Sequence, residues 1–430
     1  MTPGTESRGH AGRRPTVSLH ALAALLAVAL APLVTPSPAH AAVADTTSAT
    51  SAVESGGVPQ RDLLDVFGQI FRHDRVEPGL TTEARPGLSL SILPSVGYNP
   101  SYGGFLGVSV AVGGWLGDPE TTTLSSGSAG ASYSSSGQIS VQLKSDFFTP
   151  GNAWALKGDW RYLDTSQPTY GLGPATDAQT NVTMDFVLYR FYQTAYWRVP
   201  ETDFFIGLGY HFDCWDQISE PDVAADTVTD YQRYSGGPVS RSTASGVSFN
   251  VLYDTRDNPI NARQGTYWNV NLRAHLRELG SDHDWQSMSS DLRVYPPLPK
   301  GSRNTLAIWN TAWFAFGEAP YLNLPAIGWD TYGRGGRGYL QGRIRGQNQI
   351  YTEGEYRLAL TRDGLLGAVG FLNLTATTIP DAGHFGRLDP GYGVGLRMKY
   401  NKRTSINLAV DLAYDRFGAS HYFFGMQEVF

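Results

Sequence analysis

From about residue 88 to its end, the chain repeats one pattern. Apolar residues take every second position for roughly 10 to 14 residues, and then a polar or Gly/Pro-rich break follows. Trp268, Val270, Leu272, Ala274 and Leu276 share one face of such a segment, and Asn269, Asn271, Arg273 and His275 share the other. Residues 404–414 do the same, with Ile406, Leu408, Val410 and Leu412 opposite Ser405, Asn407 and Asp411. A period of two is the signature of a strand with two different environments. Charged residues on the polar face would be costly inside a sandwich core and suit a wet interior.

Sixteen segments follow this rule: 88–98, 104–115, 120–133, 137–148, 152–163, 181–198, 203–216, 241–254, 265–277, 284–296, 303–316, 349–360, 365–376, 391–400, 404–414 and 421–430. The breaks are sorted. Those after even-numbered segments are mostly tight, as in Gly117-Asp118-Pro119, Thr149-Pro150-Gly151-Asn152, Val199-Pro200-Glu201-Thr202, Arg362-Asp363-Gly364 and Asn401-Lys402. Those after odd-numbered segments include all the long ones, near 164–180, 217–240, 317–348 and 377–390. Short periplasmic turns and long external loops are the pattern of outer-membrane barrels. The fold class predicted is therefore all-β: a 16-stranded antiparallel transmembrane β-barrel over residues 88–430.

The residues before the barrel divide in two. Arg8, Arg13 and Arg14, then an apolar run from Ala21 to Val34, then Ala39-His40-Ala41 read as a signal peptide over 1–41, with an amphipathic anchor as the alternative. Residues 42–87 read as a flexible periplasmic segment. Within it, residues 61–74 place Leu63, Leu64, Val66, Phe67, Ile70 and Phe71 at helical spacing. That helix either packs under the barrel mouth or serves as a plug or docking element.

Composition agrees with a barrel. Only 41% of residues are hydrophobic, yet 49 Gly, 23 Tyr, 19 Phe and 10 Trp are present, as expected where every second residue faces lipid and aromatics line the interfaces. After the leader, no apolar run approaches the ~20 residues of a membrane helix. The single cysteine, Cys214, rules out an intrachain disulfide. The formal net charge of −6 argues against nucleic acid as a partner.

Three motifs carry the chemistry. Tyr253-Asp254-Thr255-Arg256-Asp257-Asn258-Pro259, followed by Gly265, forms the turn after segment eight. Gly335-Gly336-Arg337-Gly338-Tyr339 lies in the longest loop, after segment eleven. Glu353-Gly354-Glu355-Tyr356-Arg357 lies on segment twelve, with Glu353, Glu355 and Arg357 on one face. Glycines around an Arg let the backbone pack closely, and the guanidinium fork suits buried carboxylates. The last segment ends in Phe430, preceded on the same face by Tyr422, Phe424 and Met426.

Together these stretches resemble the surface-antigen barrel of the BamA/TamA-like superfamily of assembly factors and two-partner secretion transporters. The resemblance implies that the sixth external loop folds into the barrel and that Arg337, with Gly338 and Tyr339, anchors it. Glu353, Glu355 and Asp411 are the expected acidic partners. It further implies that Tyr422, Phe424 and Phe430 form the C-terminal sorting signal read by the barrel-assembly machinery. Asp254, Arg256 and Asp257 are expected to brace the periplasmic turn rather than touch a substrate. Asn373 stands where family members often carry Asp. The region before the barrel is too short for the usual POTRA domains, so the expectation is a barrel-only branch in the bacterial outer membrane, surrounded by its lipid.

The function so implied is a transport or membrane-insertion scaffold for protein or lipid clients. A passive pore or structural barrel gated by the loop is the alternative. An enzyme is not expected: His211, Asp213 and Cys214 are close in sequence, but no Ser or Cys sits in a nucleophile elbow or triad setting. No His/Cys cluster has metal-ligand spacing, and no cofactor is implied.

Overall fold

The computed structural model describes residues 60–71, 87–99, 103–173, 181–224, 226–379, 384–402, 404–426 and 428–430. The expected signal peptide, the segment to residue 59 and the end of the predicted helix beyond Phe71 lie outside the described residues.

Sixteen strands form one antiparallel sheet in which each strand pairs with its sequence neighbours: β1 Gly87–Asn99, β2 Gly103–Trp115, β3 Ser125–Ser134, β4 Ile139–Phe148, β5 Trp154–Thr169, β6 Val182–Arg198, β7 Phe204–Ser219, β8 Ser242–Asp254, β9 Gly265–His275, β10 Trp285–Tyr295, β11 Thr305–Gly317, β12 Asn348–Ala359, β13 Leu366–Thr378, β14 Asp389–Asn401, β15 Ile406–Tyr414 and β16 Ser420–Met426. The sheet curls round on itself. Asn401 at the end of β14 lies 3.4 Å from Ser89 of β1, and Gly113 of β2 packs on Thr404. β1 and β16 are the ends of the strand order, and among the described residues no register joins them.

The alternation seen in the sequence is realised as an outside and an inside. Leu106, Leu208, Val394, Leu396 and Phe424 are exposed, whereas Asn250, Glu353, Glu355, Asn373 and Asp411 are buried. This inverts a water-soluble protein, and it is the arrangement a strand needs between lipid and a polar lumen.

Three strands depart from the predicted bounds by four residues or more. β3 starts at Ser125 rather than residue 120, because residues 118–122 form a turn in which Asp118 O accepts the backbone N–H groups of Thr121 and Thr122. β5 runs six residues past the expected end because Asp164–Thr169 pair with Val182–Val187 of β6; their polar composition hides the extension. The last strand stops at Met426 instead of reaching residue 430. Glu428 and Phe430 are buried, held by interior ion pairs described below.

The helix α1 (Leu63–Phe71) sits at one end of the barrel. Asp62 and Asp65 cap it reciprocally, each side chain accepting the other's backbone N–H at 3.0 and 2.9 Å, a capping-box arrangement. Lys402, in the β14–β15 turn, donates its backbone N–H to Asp62 at 3.0 Å and its Nζ to Asp65 at 2.9 Å. Arg61 donates its backbone N–H to Asp363 in the β12–β13 turn. The helix is thus fastened to two turns at the rim. A second short helix, α2 (Asp230–Ser235), lies in the β7–β8 loop at the opposite end.

Candidate functional site

The β11–β12 connection, residues 318–347, carries the interior's main structure. On one side its Leu322, Leu324, Ala326 and Trp329 pack with Met184, Phe186, Leu188 and Trp215 of β6 and β7. Arg161 of β5 donates to the loop carbonyls of Thr331 and Asp330 at 2.7 and 3.1 Å. On the other side the loop presents Arg337 to β12–β15. The loop therefore spans the lumen from wall to wall.

Arg337 is 2% exposed. Its Nη2 meets Glu355 Oε2 at 2.6 Å, its Nη1 meets Asp411 Oδ2 at 2.8 Å, and it is also hydrogen-bonded to Glu353. The guanidinium carbon lies over Phe371, 3.5 Å from the ring centroid. Asn373 donates to the Arg337 carbonyl at 2.9 Å, a bond that a carboxylate at that position could not donate. Burial disfavours the charged guanidinium, but the three carboxylates outweigh that penalty and hold its proton more tightly than usual.

Glycines make this approach feasible. Gly338 has φ +103°, and a Cβ there would lie 2.6 Å from the Tyr414 carbonyl. Opposite it, β14 turns Gly391, Gly393 and Gly395 inwards while Tyr392, Val394 and Leu396 face out. A Cβ on Gly391 would lie 2.6 Å from Arg337 O, and one on Gly395 would lie 1.9 Å from Asp411 Oδ1. Tyr339 is buried beside this stripe, donates its hydroxyl to Pro390 O at 2.5 Å and accepts from Arg416 N at 3.3 Å. Burial outweighs that Arg416 contact and pushes the phenol up to about 12.

The knot extends beyond the residues singled out in the sequence. Arg397 pairs with Asp411 at 2.5 Å and with Glu428 at 2.7 Å. Arg357 pairs with Glu355 at 2.7 Å and donates to Phe430 O at 2.7 Å. Tyr351 donates to Glu353. Arg397 could have been found among the charged residues, with Asp389 and Lys399, on the inward face of a Gly-rich strand. Glu428 left no signal, because residues 421–430 read as uninterrupted strand.

The remaining sequence-derived residues fall apart spatially from this knot or at its edge. Arg256 pairs with Asp254 at 2.7 Å, both buried beneath the β8–β9 turn. Asp257 makes no ion pair with them and instead accepts the backbone N–H of Arg263 at 2.9 Å. Tyr422 and Phe424 point outwards, 67% and 75% exposed, while Phe430 is buried 5.3 Å from the Trp309 ring and close to Tyr351. Their expected grouping on one face is therefore not what the chain adopts. His211 and Asp213 face inwards, and Cys214 is buried. Among the described residues no group of three His, Cys, Asp or Glu could hold a metal ion.

No protein-family model and no curated protein sequence matches the chain. Solved structures do. CdiB from Escherichia coli is similar with a TM-score of 0.51 at 11% sequence identity, over 80% of this chain and 62% of that one. CdiB from Acinetobacter baumannii is similar at 0.50 and 13%, over 79% and 59%. BamA from Haemophilus ducreyi lacking POTRA domains 1-3 is similar at 0.47 and 17%, over 80% and 69%. The chain thus spans about three-fifths of the CdiB chains, and at these identities the likeness is one of fold: this is a 16-stranded antiparallel barrel of the CdiB kind.

Proposed function

We propose that this chain is a bacterial outer-membrane barrel that serves as a transport or membrane-insertion scaffold for protein clients, with the 318–347 loop anchored in its lumen by Arg337. The observation that carries this reading is the loop itself. It is tied to β5–β7 on one side and to β12–β15 on the other, so the bore is obstructed and the sheet edge becomes the working surface. Unpaired strand edges offer rows of backbone donors and acceptors to an incoming strand, and β1 and β16 stand at the ends of the strand order. The CdiB-like fold supports the same reading.

The test is insertion of a second, urea-denatured outer-membrane barrel into liposomes with and without the refolded protein. Acceleration that scales with the protein and is lost in Arg337→Ala supports the scaffold. Unchanged insertion kinetics at every ratio would overturn it.

One observation favours a passive pore instead. Beside the loop lies a cavity of about 230 Å³ lined by charged and aromatic residues together, which a solute path through the lumen would use. A large, steady single-channel conductance in both wild type and Arg337→Ala would decide for the pore.

A further inference from the structure

Two separate sets of groups hold the 318–347 loop, and they differ in kind. The Arg337 set is a network of full charges drawn from β12–β15 and Glu428. On the opposite wall the loop presents Asn323, an uncharged amide that is 4% exposed. It donates to Asp213 Oδ2 at 2.8 Å and accepts from Trp215 Nε1 at 3.0 Å, so both of its polar atoms are used.

The receiving wall is charge-balanced without it. Arg190 donates to both oxygens of Asp213 at 2.7 and 2.9 Å, and Tyr192 donates its hydroxyl to the same carboxylate at 2.5 Å. Asp213 is 1% exposed, and its charge is met by Arg190 within the wall. Asn323 therefore docks on a preassembled carboxylate and indole rather than completing an ion pair. An amide offers its donor and its acceptor on opposite sides, so it fits that pair in one orientation and fixes where the loop sits on β6 and β7.

More of the loop's bonds lie on this side. The Tyr321 hydroxyl shares a hydrogen bond of 2.6 Å with Thr169 of β5, and its ring lies 5.4 and 6.0 Å from those of Tyr231 and Tyr234 in α2. Tyr234 donates to Ala319 O at 2.8 Å. Arg345 ties the two arms of the loop together by donating to Tyr321 O and Leu324 O at 3.0 and 3.3 Å. With the apolar packing of Leu322, Leu324, Ala326 and Trp329, this end is held without any contact to Arg337. The two ends meet where Ile327 and Ile344 pack on Tyr339.

We propose that Asn323 is the positioning residue of a hinge and that the loop is a flap: fixed on β5–β7, creased near Ile327, and able to lift along β12–β15 when Arg337 lets go. The passage so opened runs beside β15, the strand next to β16 at the end of the strand order, while the β5–β7 wall stays covered. Opening is thus one-sided, on the side of the sheet edge. This inference rests on the loop anchoring proposed above and not on the nature of the client.

The experiment is amide hydrogen exchange of the refolded protein, read separately over residues 319–326 and 336–340 and compared with wild type at the same pH. Arg337→Ala should speed exchange of 336–340 by about tenfold or more and leave 319–326 as in wild type. Asn323→Asp should do the reverse at neutral pH, because it turns the donor facing Asp213 into a second carboxylate. In that variant the protection of 319–326 should return towards wild type below about pH 4, as one carboxyl takes up a proton and donates again; a loss of packing would not recover in this way. Thr169→Val, which removes the bond to Tyr321 at little cost in shape, reads the same end if Asn323→Asp refolds poorly, and it too should speed 319–326 alone. Equal acceleration of both stretches by either loop variant, or an Asn323→Asp protein that exchanges as wild type does, overturns the hinge. Fast exchange of both stretches in wild type would instead overturn the anchored loop itself.

Discussion

Arg337 and Asp411 are 74 residues apart in the chain and meet at 2.8 Å inside the barrel. One comes from a loop and the other from the fifteenth strand, and Arg397 shares the same carboxylate from the opposite oxygen at 2.5 Å. The pair is desolvated and embedded in a larger knot of guanidiniums and carboxylates. Its energetics are those of a network in which each charge depends on the others.

Removing one charge from such a network leaves its partners buried and unpaired. Arg337→Ala should therefore cost about 3–5 kcal/mol of local stability and release the loop. The measurement is gel mobility of unheated protein alongside single-channel conductance. Unchanged mobility together with unchanged conductance would show that the loop is held by its contacts with β5–β7 alone.

The inward glycines of β14 predict a second phenotype without any change of charge. Gly395→Ala drives a methyl group into Asp411 Oδ1, which Arg337 and Arg397 hold in place. Overpacking of this kind costs about 1–3 kcal/mol. Gly354→Ala, whose methyl group would meet nothing within 4 Å, is the matched control. Thermal unfolding in detergent should separate the two.

Phe430 contributes packing as well as any sorting role. It is buried with Trp309, Tyr295 and Tyr351, so Phe430→Ala should destabilise the folded barrel by about 3–5 kcal/mol. Refolding in pure detergent isolates this effect from cellular assembly. A variant as stable as wild type in detergent would assign Phe430 to sorting alone.

Docking of α1 should fail in acid. Burial raises the Asp65 pKa, but its bonds to Lys402 and Asp62 outweigh that and set it below the ordinary carboxylate value. A depressed carboxylate stabilises the docked state above its unfolded pKa, near ~4, and that contribution disappears as pH falls through the lower folded value. Amide exchange of residues 63–71 should accelerate below about pH 4 and should already be fast at neutral pH in Lys402→Gln. Protection that is flat with pH would place the docking energy in apolar contacts.

The strands were readable because lipid on one side and a polar interior on the other enforce a period of two, and a one-residue slip would turn every side chain the wrong way. That logic also put Glu353, Glu355 and Asp411 on inward faces, whereas their pairing with Arg337 followed from the resemblance to BamA/TamA-like barrels and not from the alternation. It could not show the role of Gly391, Gly393 and Gly395, since a missing side chain matters only once the opposing loop is in place. It placed Asn271, Arg273 and His275 on the polar face, but the hydrogen bonds that link Asn271 to Asn250, Asn250 to Ser248 and Ser248 to His211 exist only in the cross-strand register of β7, β8 and β9. The chain end was misread because Tyr422, Phe424 and Met426 alternate well, while Glu428 is drawn inwards by Arg397, and Phe430 is buried against Trp309 and Tyr351.

The knot around Arg337 draws its members from β12, β13, β14 and β15, together with Glu428 beyond β16. β5–β7 hold only the far side of the loop, through apolar packing, Arg161 and Asn323. The Arg337 side is gripped only where β12–β15 and Glu428 stand together. The buried arginine is thus a clasp whose jaws belong to four strands, and a disturbance in any one of them is felt in the loop.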